Sequence, residues 1–147
     1  MSQPLHSNPP IPGIIGIDHV GIAVAALDPA IAFYQERFGG QLTHREINQE
    51  QGVEEAMIQL GASMVQLLAP LDNQSPIARF LEKRGPGVQQ VAYRVESIEA
   101  AMAAAKELGM ELLYSEPRNG TMGSKINFIH PRDGGGVLIE LVEPKKS

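Results

Sequence analysis

Cysteine is absent from the 147 residues. That excludes disulfides, thiolate metal sites and cysteine nucleophiles together, and it fits a reducing compartment. A dense run of Lys or Arg is also missing: 12 basic side chains face 17 acidic ones, for a net charge of −5. Nucleic acid and anionic membrane are therefore not expected as partners, although a local basic pocket for one phosphorylated ligand is still allowed. No apolar stretch is long enough to span a bilayer, and no basic segment followed by an apolar core opens the chain. The location read from these absences is cytoplasmic. What the chain does contain, 43% hydrophobic and 20% charged residues, suits one compact domain with a real core.

The chain is written twice. Ile17-Asp18-His19-Val20-Gly21-Ile22-Ala23-Val24 and Val88-Gln89-Gln90-Val91-Ala92-Tyr93-Arg94-Val95 share an apolar/polar order, and each is followed by one helical stretch and several strand-like runs. Met64-Val65-Gln66-Leu67-Leu68-Ala69-Pro70 aligns likewise with Leu138-Ile139-Glu140-Leu141-Val142-Glu143-Pro144. Repeats at this spacing indicate two copies of one supersecondary unit. If a pseudo-two-fold relates them, equivalent positions converge: His19 with Gln90, and Gln66 with Glu140.

Residues 1–13 carry Pro4, Pro9, Pro10 and Pro12 among small polar residues and read as a flexible tail, leaving 14–147 as a single domain. The first unit, about 15–70, opens with a strand at 17–24. Asp28 is placed to cap a helix beginning at Pro29, whose apolar stripe is Leu27, Ile31, Tyr34 and Phe38 and whose stop is Gly39-Gly40. Strands follow near 41–47, 54–60 and 63–69. A linker helix is expected at about 75–84, from Ser75-Pro76 to Gly85-Pro86-Gly87. The second unit, about 87–144, repeats the order with a strand at 88–95, a helix at 97–108, and strands near 110–114, 124–129 and 137–143. The fold class is α+β, two tandem βαβββ units pairing around a cleft.

His19 lies inside a strand between apolar neighbours, where a core histidine with a backbone partner is the plain alternative to a functional one. Alternation sets Glu140 opposite Ile139 and Leu141, and Gln66 opposite Val65 and Leu67. A carboxylate in such a strand is either outward-facing or compensated by a partner, because unpaired buried charge is costly. Solvated residue and cleft liner are the two choices.

These stretches, together with Glu50-Gln51-Gly52-Val53, Ser75-Pro76-Ile77, Phe128-Ile129-His130-Pro131 and Gly135-Gly136-Val137, resemble the methylmalonyl-CoA epimerases of the vicinal oxygen chelate (glyoxalase) superfamily over about residues 15–144. The resemblance implies a glyoxalase-like fold with a metal cleft, and an acyl-CoA substrate, most directly methylmalonyl-CoA. It implies a divalent metal, cobalt or manganese with zinc or nickel as alternatives, and a homodimer. Carried over, the metal ligands fall on His19, Gln66, Gln90 and Glu140. The third departs from the family's pattern, since Gln89-Gln90 stands where His-His is usual, and two amides with one imidazole hold a metal more weakly than two imidazoles.

The acid/base pair carried over is Glu140 and Glu50, although Glu46, Glu54 and Glu55 make Glu50 look like an ordinary solvated loop carboxylate. Inverting the carbon next to a thioester needs one group to take a proton and another to return one from the opposite face, through an enolate. Lys125 and Arg94 are candidate substrate contacts, with ordinary surface cations as the alternative. His130 reads as a turn residue, and His44 and His6 receive no role. Rival readings are another glyoxalase-superfamily isomerisation, a ring-cleaving dioxygenase, disfavoured by its need for two histidines and a carboxylate on iron, and a metal-poor, resistance-type small-molecule-binding protein of the same fold.

Overall fold

The computed structural model describes residues 8–146. In chain order the elements are β1 (Ile14–Ala23), α1 (Leu27–Phe38), β2 (Gln41–Asn48), β3 (Val53–Leu60), β4 (Ser63–Pro70), α2 (Pro76–Arg84), β5 (Gly87–Val95), α3 (Ile98–Glu107), β6 (Arg118–Asn119), β7 (Lys125–Ile129) and β8 (Ile139–Glu143), with a 3₁₀ turn at Thr121–Gly123. The architecture is α+β. The chain divides into two compact units, Asp18–Ala92 and the remainder.

In the unit Asp18–Ala92 the strand order is β2-β3-β4-β1-β5. β2, β3 and β4 form an antiparallel meander, and β4 pairs parallel with β1. One face of this sheet is apolar: Ala56, Ile58, Leu67 and Ala69, with Ile22 and Val24 beside them, pack on Leu27 and Ile31 of α1. The two-residue period of a strand sends the intervening residues to the other face. At one end of that second face Ala23, Val53 and Leu68 are covered by Ile77, Phe80 and Leu81 of α2, which the Ser75 hydroxyl caps by accepting from the Ala78 N–H at 3.2 Å. Beyond these residues the face carries mostly polar side chains, with Met57 among them.

Two expectations for α1 change. The helix starts two residues early, with Ala26 at its N-cap and no side-chain cap. Asp28 instead accepts from Arg45 at 2.7 Å, a bond that, with Glu54 also on Arg45, raises the guanidinium above its ordinary range. The apolar stripe is shorter than drawn: Leu27 and Ile31 are buried, whereas Phe38 is exposed beside Phe33 and Tyr34.

In the other unit β8, β7 and β6 run antiparallel, and α3 packs on β7 and β8. The register pairs Phe128 with Glu140 and Ile126 with Val142 on one face, and Asn127 with Leu141 and Ile129 with Ile139 on the other. The second face meets α3, where the Asn127 amide contacts the Met102 sulfur at 3.5 Å. The strand expected near 110–114 is reduced to one bridge, Leu112 to Ile129. A short strand, β6, stands where none was expected.

Of the expected flexible tail, residues 1–7 lie outside the described residues. Residues 8–13 are bonded to this unit: Asn8 donates to the Glu107 carbonyl at 2.9 Å, and the Gly13 carbonyl accepts from Glu96 N–H at 2.9 Å. Among the described residues no helix is long and apolar enough to cross a membrane.

Candidate active site

The polar half of the second face in Asp18–Ala92 follows directly from strand register. Residues directly opposed in a ladder share a face, so His44, Met57, Gln66 and Gly21 form one row across β2, β3, β4 and β1. Glu46, Glu55, Leu68 and Ala23 form the next row. His19, two residues before Gly21, joins the same face.

Three of the expected ligands sit here. His19 is 4% exposed, Gln66 3% and Gln90 4%. The His19 Nδ1 donates to the Asp18 carboxylate at 2.7 Å, which fixes the ring and directs its other nitrogen away from that bond. Gln90 reaches across β1 because residue 21 has no side chain. A Cβ on Gly21 would come to 2.6 Å from the Gln90 Cγ. Through that gap the Gln90 amide nitrogen donates to the Gln66 amide oxygen at 3.3 Å.

The donors present suit a divalent cation that accepts oxygen ligands. An amide oxygen engaged by one N–H keeps a second lone pair, and the imidazole is already oriented by a carboxylate, as in metal-binding histidines. Among the described residues no three His, Cys, Asp or Glu side chains are grouped closely enough to hold a metal. Two of the four expected ligands are amides, so such a group is not what this donor set would produce.

Sequence analysis gave no role to Glu55. It is 4% exposed, on the same face as His19 and Gln66, and a carboxylate so enclosed is costly without compensation. Glu50, expected as one of the acid/base pair, is exposed in the turn between β2 and β3. The available signal was the period of β3: Val53, Glu55 and Met57 alternate with Ala56 and Ile58, which face α1.

Glu140 is 5% exposed on β8, on the face that α3 does not cover. Lys125 is exposed at the start of β7. Its register partner is Glu143, which sets it on the face opposite Glu140. Arg94 is exposed on β5. His130 serves the turn after β7, its Nδ1 accepting from the Arg132 N–H at 3.0 Å. His44 is bonded to Glu46, and His6 lies outside the described residues.

With this geometry in hand, the comparisons decide the family. The sequence pattern of the Glyoxalase/Bleomycin resistance protein/Dioxygenase superfamily matches residues 18–128. Methylmalonyl-CoA epimerase from Mycobacterium tuberculosis is 50% identical, with a TM-score of 0.88 over 97% of this chain and 93% of that one. The chain belongs to the methylmalonyl-CoA epimerase family. The Streptomyces coelicolor methylmalonyl-CoA epimerase, solved in complex with 2-nitronate-propionyl-CoA, is 41% identical with a TM-score of 0.87, covering 90% of this chain and 99% of that one. The ethylmalonyl-CoA/methylmalonyl-CoA epimerase of Cereibacter sphaeroides is 39% identical over 127 residues, 85% of this chain and 95% of that protein. The glyoxalase-like α+β fold and the class of enzyme, a racemase or epimerase acting on acyl-CoA, follow from these relationships. A resistance-type binding protein is not the class to which these relatives belong.

Proposed function

We propose that this enzyme epimerises methylmalonyl-CoA at its α-carbon by two-base proton transfer through an enolate. The observation that carries the mechanism is the buried carboxylate of Glu55 on the polar face that also holds His19, Gln66 and Gln90. In this reading Glu55 and Glu140 are the two acid/base groups, one for each face of the carbon, with their order reversing between the two stereoisomers. Glu55 takes the role that the resemblance gave to Glu50, because it is enclosed on the face that holds His19, Gln66 and Gln90, whereas Glu50 is exposed in the turn before β3, and a general base must be positioned against the proton it removes.

His19, Gln66, Gln90 and Glu140 are the residues proposed to hold a divalent ion. Cobalt or manganese fits a donor set of one nitrogen and three oxygens, and when bound such an ion stabilises negative charge on a thioester oxygen. The residues act around that charge. Asp18 orients His19, Gln90 and Gln66 hold one another across Gly21, and the burial of these side chains strengthens each electrostatic contact. Arg94 and Lys125 are kept as proposed contacts for the carboxylate or phosphates of the substrate. Ile14, Ile15 and Ile17 on β1 are 48, 62 and 65% exposed, an apolar run that favours association with a second copy. Light scattering on the purified protein tests that homodimer.

Methylmalonyl-CoA of one configuration, incubated with the protein in D₂O, should yield the other isomer deuterated at the α-carbon faster than the protein-free control. Label incorporation equal to the control, with metal supplied, removes methylmalonyl-CoA as the substrate. Chelation should suppress the gain. A divalent-ion titration gives an independent readout, because Gln90→His should tighten binding, and an unchanged affinity would count against Gln90 as a ligand.

A further inference from the structure

β2 does not keep one register along its length. Leu42 pairs with Ile58, but His44 pairs with Met57, so Thr43 is an extra residue, a β-bulge. The Thr43 hydroxyl secures it by donating to the Met57 carbonyl at 3.3 Å. Without the bulge, His44 and Glu46 would share the α1 face with Ala56 and Glu54. With it, both turn to the face of Glu55, and Glu46 stands directly opposite Glu55. Bulges recur where a side chain must be re-aimed beside a functional site. Two carboxylates directly opposed across a ladder, with Cβ atoms about 4.5–5.5 Å apart, disfavour the pairing, so folding alone does not account for the arrangement.

His44 stands beside Glu46 in the neighbouring row of the same face. Its Nε2 donates to the Glu46 carboxylate at 2.6 Å. The side chains of His44 and Glu46 are 33% and 28% exposed, whereas Glu55 is 4% exposed. From Glu55 through Glu46 to His44, the groups pass from the interior to water.

We propose that Glu46, held by His44, is the proton relay between Glu55 and solvent. The proposal rests on the reading of Glu55 as one of the two proton-transfer groups. A two-base epimerase ends each turnover with one base protonated and the other not, and steady conversion in one direction requires both to be reset. When Glu55 ends protonated, its proton moves to the Glu46 carboxylate and then to water, which leaves Glu55 basic again. In the opposite direction water protonates Glu46, and Glu46 protonates Glu55. His44 is a positioning residue that fixes the Glu46 carboxylate at the water boundary.

The test separates the first turnover from the reset. With enzyme in excess over methylmalonyl-CoA, Glu46→Gln and His44→Gln should lose the substrate α-proton at the parental rate. Their steady-state kcat should fall by about tenfold or more, short of the 10²–10⁴-fold that loss of an acid or base itself costs, and added imidazole should restore it. Structural damage would slow both phases and would not respond to imidazole. Parental steady-state turnover in Glu46→Gln, or equal loss of both phases without rescue, overturns the relay. Glu55→Gln should lose the first turnover itself. If it does not, the base assignment fails and takes the relay with it. If it does while Glu46→Gln turns over normally, the relay alone is wrong.

Discussion

The two copies of the sequence repeat end alike and differ in the middle. In the first copy β2, β3 and β4 form an unbroken antiparallel meander with one bulge. In the second, the segment that should be the matching outer strand is nearly dissolved, and a side chain does the work of a ladder. Asn127, 0% exposed, accepts from the Tyr114 N–H at 3.2 Å and donates to the Tyr114 carbonyl at 2.9 Å. Single backbone bonds, Leu113 to Phe128 and His130 to Glu111, hold the rest. Where backbone alone carries the ladder, the face above it is open to vary, and there the chain places His44, Glu46 and Glu55. Where a buried amide carries it, the surrounding positions are constrained and apolar. By register the counterpart of Glu55 is Ile126, 2% exposed.

The largest expected effect breaks that asymmetry at the chemistry. Glu55→Gln should lower epimerisation by roughly 10²–10⁴-fold while the fold stays intact, the usual worth of a positioned acid or base. Glu50→Gln should stay near the parental rate. If the rates of the two variants were reversed, the turn carboxylate and not the buried one would be the base. Circular dichroism on both variants separates loss of chemistry from loss of structure.

Next in size is the stitch of the second copy. Asn127→Leu keeps volume and apolar surroundings but removes both bonds to Tyr114 and the 2.7 Å bond that the same oxygen accepts from the Phe128 N–H. Buried polar groups deprived of a partner cost about 1–3 kcal/mol each, so a loss on the order of 3 kcal/mol should appear in urea unfolding. A midpoint unchanged from the parent would mean that residues 111–114 hold to β7 without the amide.

Much of this arrangement was legible in the chain. The repeat located β1 and β5, and alternation along β4 and β8 correctly set Gln66 and Glu140 apart from their apolar neighbours. What misled the reading was local. Periodicity sees an apolar strand at 110–114 because Met110, Leu112 and Leu113 are apolar, yet the backbone there is bonded by single contacts and by Asn127, a long-range partner that no local window contains. The bulge at Thr43 was equally invisible, since it exists only in the pairing of β2 with β3. Without it His44 had no apparent role. Glu55 was overlooked because four glutamates crowd residues 46–55, and composition makes them all look solvated when only the strand's period distinguishes them.

A smaller test converts one position of the first copy into its counterpart. Gly21 aligns with Ala92, which is buried at 0% exposure. Gly21→Ala puts a methyl group where the Gln90 side chain lies. Strain of this kind typically costs about 1–3 kcal/mol, and Gln90 can relieve part of it by leaving Gln66. The expected result is weaker divalent-ion binding by calorimetry together with a modest loss of stability. Full ion affinity in Gly21→Ala would show that the Gln66 and Gln90 pair is not needed to hold the ion.

The smallest expected effect concerns the helices that open after the repeated strands. Ala26 and Ser97 occupy equivalent positions, and both are N-caps with extended backbone, φ −147° and ψ 141° for Ala26, φ −139° and ψ 116° for Ser97. Only Ser97 caps, its hydroxyl accepting from the Ala100 N–H at 3.1 Å. An N-cap hydroxyl is worth about 1 kcal/mol over alanine, so Ser97→Ala should lower stability by about that much. Ala26→Ser should raise it by a similar or smaller amount, because its backbone already has the angles a cap requires. Thermal unfolding of the two single variants and of the exchanged double variant checks this. The two caps share no hydrogen-bond partner, and substitutions without shared partners add, so the double variant should return close to the parental midpoint. A double variant well below it would mean that α1 relies on something other than its cap, with Arg45 on Asp28 as the first bond to remove.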